Sequence, residues 1–218
     1  MPITFYYGAG SPYAWRVWLA LEHKALAYDF RPLSFSAGDL KTPDFAALNP
    51  RRKVPVLVDE GAGGRFALYE SAAILEYLDD AYAGSGGKLF AGGARERALV
   101  RRMVCEVDAY LGPAINRLAA RVLFTPEPEW NAAKIGAASA ECVEELDLWS
   151  RRLGGEFLAG GLSAADFTLY PVIAFGLRCE KRKSDLGLAA SIPVPVRDWM
   201  QRVERLPYFA KTWPAHWK

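Results

Sequence analysis

The stretch Lys53–Ser71, KVPVLVDEGAGGRFALYES, constrains the fold of this chain more than any other. Val56, Leu57 and Val58 form an apolar run, the glycine-rich Gly61-Ala62-Gly63-Gly64 follows, and Phe66 to Tyr69 return, which is the pattern of a hairpin. A hairpin brings its ends together, so the turn Val54-Pro55 is expected near Glu70 and Ser71 at the start of an apolar-periodic helix. Each end carries two readings. Val54-Pro55 is either a rigid turn before a strand, or a cis bond that turns the Val54 backbone N–H and C=O outward to pair with an extended peptide. Glu70-Ser71 is either a charged residue and a cap, or a receptor for an amino acid zwitterion. In the second reading the carboxylate pairs with the ammonium, while the hydroxyl and the N–H groups of the helix start hold the carboxylate. Together the two ends read as a site for a small peptide.

The elements around this stretch follow from the same local grammar. Ile3 to Tyr7 reads as a buried strand broken by Gly8-Ala9-Gly10. Ser11-Pro12 opens a helix to His23 with a preferred cap and a preferred first residue. Ala27 to Leu33 is a second strand, and Thr42-Pro43 opens a short helix ending at Asn49-Pro50. After the hairpin a helix runs from Ser71 to about Tyr82, with Ile74, Tyr77, Leu78 and Ala81 on one face. The order β-α-β-α-β-β-α, with right-handed crossovers, makes a thioredoxin-like unit with a parallel first pair and an antiparallel hairpin. Gly84-Ser85-Gly86-Gly87 and Ala91-Gly92-Gly93 read as a linker. Beyond it the patterns are helical: Arg95 to about Phe124, Trp130 to about Leu153, Ser163 to about Lys181, and Val196 to Leu206. The division expected is residues 1–82, a linker at 83–93, and an all-helical domain at 94–218.

Composition narrows the function classes. The chain of 218 residues is 51% hydrophobic and 24% charged, ordinary for a folded protein. A net charge of +2 with scattered arginines gives no electrostatic case for nucleic acid or a membrane surface. No run of eighteen apolar residues spans a membrane, and Met1-Pro2 leads directly into strand residues without a signal-peptide pattern. Cys105, Cys142 and Cys179 lack a partner at metal-ligand spacing, so a reduced, cytoplasmic setting without a metal is expected.

Two further positions carry chemistry. Ser163-Ala164-Ala165-Asp166, flanked by Leu162 and Phe167, reads as a capping box with a hydrophobic staple, which fixes a core helix. Ser11 accepts as a cap, yet its hydroxyl also has a hydrogen to donate, which suits a thiolate held at the positive end of a helix. No cysteine lies in the first hundred residues, so that thiol must belong to the ligand. His23 and His216 are isolated, and neither is expected to be catalytic.

SPYAWRVWLALEHK, DFAALNPRRKVPVLVD, LYESAAILEYLDDAY and the box at Ser163 together resemble the glutathione S-transferase superfamily, along the whole chain. The resemblance implies an α/β thioredoxin-like N-terminal domain followed by an all-α C-terminal domain. By similarity Val54 would offer backbone bonds to glutathione, Pro55 would be cis, Glu70 and Ser71 would bind the γ-glutamyl end, and Lys53 and Lys41 would neutralise the glycyl carboxylate. SPYAWRV is similar to the serine-type zeta and theta classes, with Pro12 and Tyr13 where the zeta pattern has Ser and Cys. Ser11 is therefore the first choice for the thiolate donor. Alignment on Arg16 puts Phe5 in the slot of the tyrosine-type classes, which leaves Tyr6 second. Tyr7, Tyr13, Tyr110, Phe175 and Trp213 are candidate walls for a second substrate. The implied function is a homodimeric glutathione transferase that activates its co-substrate glutathione as a thiolate for attack on a small apolar electrophile. The alternatives are a glutathione-dependent isomerase of the maleylacetoacetate type and a non-catalytic binding protein on the same scaffold.

Overall fold

The structure is a computed structural model that describes residues 3–61 and 63–217. The chain divides into two compact units, Met1–Ala91 with Tyr208–Lys218, and Gly92–Pro207.

In the first unit β1 (Ile3–Gly8), α1 (Pro12–His23), β2 (Tyr28–Leu33), α2 (Pro43–Leu48), β3 (Val56–Asp59), β4 (Phe66–Tyr69) and α3 (Ser71–Ala81) follow in order. The sheet runs β2-β1-β3-β4, with β1 and β2 parallel and the other two pairs antiparallel. The hairpin has the register Val56 to Tyr69 and Asp59 to Phe66. That register sets Val56 beside the start of α3 and brings the turn before β3 to the site.

Strand periodicity decides which side chain meets which helix. Phe5 and Tyr7 point to the α1 layer, where the Tyr7 ring lies 5.0 Å from Trp18. Tyr6 points the other way, 6.1 Å from Phe45 of α2, in a cluster with Val56 and Val58. Helix α1 is buried on nearly all sides, because the segment after Pro207 folds back onto it. Trp15 Nε1 donates to Thr212 Oγ1 at 2.9 Å, and the rings of Trp213 and Trp217 meet Trp15 edge-on at 5.3 and 5.5 Å. The division expected from the sequence places this segment in the helical domain at 94–218. It joins the first unit through indole contacts that no local pattern encodes.

The Gly84–Gly87 stretch carries the composition of a linker, but Gly86 and Gly87 serve close packing. A Cβ on Gly86, whose φ is +51°, would stand 2.4 Å from the Lys24 carbonyl carbon, and one on Gly87 2.1 Å from the His23 ring. The Gly87 N–H donates to the His23 carbonyl at 3.1 Å. Beneath it Lys24, fully buried, reaches Asp79 at 3.4 Å, and Asp79 accepts the Leu89 and Phe90 N–H groups at 2.8 and 3.2 Å.

The second unit contains α4 (Ala94–Glu106), α5 (Gly112–Val122), α6 (Ala132–Ser150), α7 (Ala164–Arg182), α8 (Leu188–Ser191) and α9 (Val194–Glu204). The single helix expected from Arg95 to Phe124 is interrupted by a π-helical turn, Val107–Leu111, closed by the Gly112 N–H on the Val107 carbonyl. Pro113 explains its place: it has no N–H for the Ala109 carbonyl, and the wider turn just before it absorbs the mismatch. Helix α7 continues through Pro171 and is buried almost all round from Ala164 to Gly176, as a central core helix is. Its third residue, Asp166, accepts from Ser163 N–H at 2.9 Å, Ser163 hydroxyl at 2.8 Å, Leu158 N–H at 3.0 Å and Trp199 Nε1 at 2.8 Å. Among the described residues no helix is long and apolar enough to cross a membrane.

Candidate functional site

The sharpest local geometry lies where α1, β3 and α3 begin. Ser11 caps α1 in extended conformation (φ −75°, ψ 118°) and accepts the Ala14 N–H at 3.3 Å. Its own N–H donates to the Gly8 carbonyl at 3.1 Å, which fixes the turn after β1. The hydroxyl therefore accepts as a cap, and its hydrogen is directed elsewhere.

One turn further along α1, the buried guanidinium of Arg16 donates through Nε to Ser71 Oγ at 2.9 Å. This bond joins the first turn of α3 to α1 across the core. With a lone pair committed to Arg16, the Ser71 hydroxyl has a hydrogen to donate, at a helix start whose first N–H groups have no partner within the helix. Arg16 lies over the Tyr13 ring at 5.3 Å.

Glu70, immediately before α3, holds φ 69° and ψ 103°, a backbone conformation that a residue with a Cβ rarely adopts. Such a conformation costs on the order of 1–3 kcal/mol and persists where the surroundings enforce it. Glu70 makes no side-chain cap, its carbonyl accepts the Ile74 N–H at 3.0 Å, and its carboxylate is exposed. The strain sits at the residue that sequence reasoning assigned to an ammonium.

The Val54–Pro55 bond is cis. The loop before it is organised by Asn49, which the sequence pattern marks only as a helix end. Asn49, buried at the end of α2, donates through Nδ2 to the Lys53 carbonyl at 2.7 Å and accepts the Arg51 N–H at 3.0 Å. Asn followed by Pro before an extended segment is the local signal for such a loop. Asn49→Ala is expected to lower stability by roughly 1–2 kcal/mol through these two lost bonds, read by urea denaturation. Lys53 itself is exposed, as is Lys41 in the turn Asp39–Lys41.

The expected site residues separate into groups. Ser11, Tyr13, Val54, Pro55, Glu70 and Ser71 stand on the three element starts just described. Tyr6 is packed against α2 instead. The phenol beside the Ser11 turn belongs to Tyr7, which accepts the Gly10 N–H at 3.4 Å. Burial pushes the Tyr7 pKa up to about 12, so this phenol keeps its proton at neutral pH. Trp213 is half-buried against Trp15 in the first unit. Tyr110, 59% exposed on the π-helical turn, and Phe175, buried in α7, belong to the second unit. Among the described residues no cluster of three His, Cys, Asp or Glu side chains has metal-binding geometry. His216, given no role from the sequence, lines a cleft beside Ala9 and Phe35.

Comparison with known proteins meets this geometry from the other side. Residues 10–81 match the family described as "Glutathione S-transferase, N-terminal domain". Glutathione S-transferase 3 of Zea mays is 30% identical over 97% of this chain and 93% of its own length. A probable maleylacetoacetate isomerase of Vibrio cholerae is 30% identical over 93% of this chain and 91% of its own. A solved glutathione transferase of Burkholderia graminis, with two glutathione molecules bound per subunit, superposes with a TM-score of 0.86 at 25% identity, covering 96% of this chain and 86% of that one.

Proposed function

Because this chain belongs to the glutathione S-transferase family, we propose that it binds glutathione along Val54–Pro55 and the start of α3, and holds the glutathione sulfur as a thiolate at Ser11 for attack on a small apolar electrophile. When bound, glutathione supplies the nucleophile. The chain's own residues do the rest by positioning and by charge.

The observation that carries this reading is the Arg16–Ser71 bond at 2.9 Å. A hydroxyl whose acceptor side is fixed by a buried guanidinium has its hydrogen directed to a carboxylate, at a helix start whose N–H groups favour the same anion. Glu70, strained and exposed beside it, supplies the countercharge for an ammonium. A carboxylate receptor and an ammonium receptor on adjacent residues fit the γ-glutamyl end of glutathione. Lys53, held in its loop by Asn49, and Lys41 are placed by type and exposure to meet a glycyl carboxylate. Ser11 combines a hydroxyl hydrogen with the positive end of α1, and each pKa unit by which that combination lowers a thiol corresponds to about 1.4 kcal/mol.

A glutathione-dependent isomerase is the second reading, supported by the similarity to the Vibrio cholerae protein. Pro12 and Tyr13, in place of the Ser and Cys of the pattern it resembles, favour the transferase. The family's electrophile chemistry, a homodimer and a cytoplasmic setting form part of the same proposal.

Retention on immobilised glutathione tests the core of it. The protein is expected to bind and to elute with free glutathione, and Glu70→Ala to weaken the dissociation constant by about tenfold, the equivalent of ~1.4 kcal/mol. Failure of the parent protein to bind would favour a non-catalytic role for the scaffold.

A further inference from the structure

The loop that leads into Val54 presents three basic residues in a row, Arg51, Arg52 and Lys53, all of them exposed. It wraps around one buried side chain. Asn49 accepts the Arg51 N–H on its side-chain oxygen at 3.0 Å, accepts the Arg52 N–H on its backbone carbonyl at 2.9 Å, and donates to the Lys53 carbonyl at 2.7 Å. The turn so formed holds Arg52 at a φ of +53°, in the left-handed region. Glycine occupies that region freely, whereas a residue with a Cβ is strained there, so the turn by itself asks for glycine. The chain places a guanidinium at this point instead.

The positive charge of this span exceeds what a glycyl carboxylate neutralises. Residues 39–53 carry four basic side chains, Lys41, Arg51, Arg52 and Lys53, against two acidic ones, Asp39 and Asp44. Among the described residues no carboxylate pairs with any of the four. Asp39 takes the Ser34 N–H at 2.7 Å, and Asp44 stands in the first turn of α2, where the helix end favours a negative charge. A glycyl carboxylate brings one negative charge, to which Lys53 and Lys41 are assigned. Arg51 and Arg52 remain. Neighbouring residues stand about 3.8 Å apart, less than the length of an arginine side chain, so a peptide whose third residue reaches Lys53 brings any side chain on that residue within range of Arg52.

We infer that Arg52, with Arg51 beside it, is a specificity-determining residue that receives a second carboxylate at the carboxyl end of the thiol peptide, so that the preferred co-substrate is a γ-glutamylcysteinyl peptide ending in an acidic residue. The inference rests on the glutathione reading, which lays the peptide along Val54 with its third residue at Lys53. Glycine in that third position has no side chain and leaves the guanidinium unused. A glutamate or aspartate there offers a carboxylate whose two oxygens match the planar fork of arginine. The bonds to Asn49 hold the backbone of the fork in place beforehand, so less freedom is lost on binding.

Isothermal titration calorimetry of the full chain compares γ-glutamylcysteinylglutamate with glutathione, with no electrophile in the measurement. The acidic peptide is expected to bind about fivefold more tightly, the equivalent of ~1 kcal/mol and the upper end for an exposed ion pair. In about 0.5 M sodium chloride the preference is expected to shrink, since charges at the surface are screened. Arg52→Gly puts at the left-handed position the residue that suits it, so the guanidinium is lost without strain on the fold. In that variant the two dissociation constants are expected to come within about twofold of each other. Arg52→Lys, which keeps the charge but not the fork, is expected to lie between the variant and the parent. In turnover with one fixed electrophile the preference is expected in KM and not in kcat, because the contact is remote from the sulfur. Equal affinity of the parent for the two peptides, or a preference unchanged in Arg52→Gly, would overturn the assignment. If glutathione still binds, that result removes Arg52 alone. If neither peptide binds, the glutathione reading falls with it.

Discussion

Asp166→Ala is expected to lower the stability of the helical unit by roughly 3–5 kcal/mol, because the carboxylate is fully buried and anchors several donors at once. Its partners come from three places in the sequence: Leu158 before the cap, Ser163 at the cap, and the Trp199 indole from α9. Alanine leaves all of them without an acceptor, and each buried orphan costs about 1–3 kcal/mol, partly relieved where water enters. A loss of this size is a large share of the ~5–15 kcal/mol by which domains are stable. Urea denaturation followed by circular dichroism gives the measurement. Asp166→Asn separates charge from shape: it keeps an acceptor for the indole but turns an amide N–H₂ toward other donors, and it is expected to fall between alanine and the parent. An alanine variant within ~1 kcal/mol of the parent would show that the carboxylate does not bind α9 to the start of α7.

Ser11→Ala is expected to reduce kcat/KM with glutathione on the order of a hundredfold, the scale for removing one donor to a reacting anion. The same substitution also removes the cap on Ala14, at a cost of about 1 kcal/mol. The two effects come apart in Ser11→Asn, which caps without a hydroxyl. The deciding measurement is the thiol pKa of bound glutathione, followed by the thiolate ultraviolet absorbance. A hydroxyl donating to sulfur favours the charged form and holds that pKa down; its removal lets the pKa rise toward that of the free thiol. A bound-thiol pKa identical in parent and Ser11→Ala would remove Ser11 from the chemistry.

What the sequence disclosed and what it withheld divide along a physical line. Features set by near neighbours were legible: the caps at Ser11, Thr42 and Ser163, the hairpin around its glycines, and the parallel first pair that follows from a handed crossover. Features set by distant pairs were not. Nothing near Arg16 announces Ser71, and nothing near Trp15 announces Thr212. The two adjacent strand tyrosines are alike by type, and only the side of the sheet on which α1 lies separates Tyr7, beside the Ser11 turn, from Tyr6, against α2. The glycines at 86 and 87 have the composition of a flexible joint because composition cannot separate freedom from close approach. His216 was passed over since a histidine remote from every motif carries no pattern. It takes folding of the last residues onto α1 to bring it to the cleft.

The Arg16–Ser71 contact also bears on how this scaffold changes over evolutionary time. Both groups are buried, so removing either partner costs the other a hydrogen bond in the core whether or not any ligand is present. Selection for folding alone is enough to preserve the pair. A descendant that had abandoned its reaction would keep Arg16 and Ser71 unchanged long after its exposed residues had drifted. Glu70 is the more telling witness, since its backbone opens α3 but its solvent-facing carboxylate makes no cap bond in return.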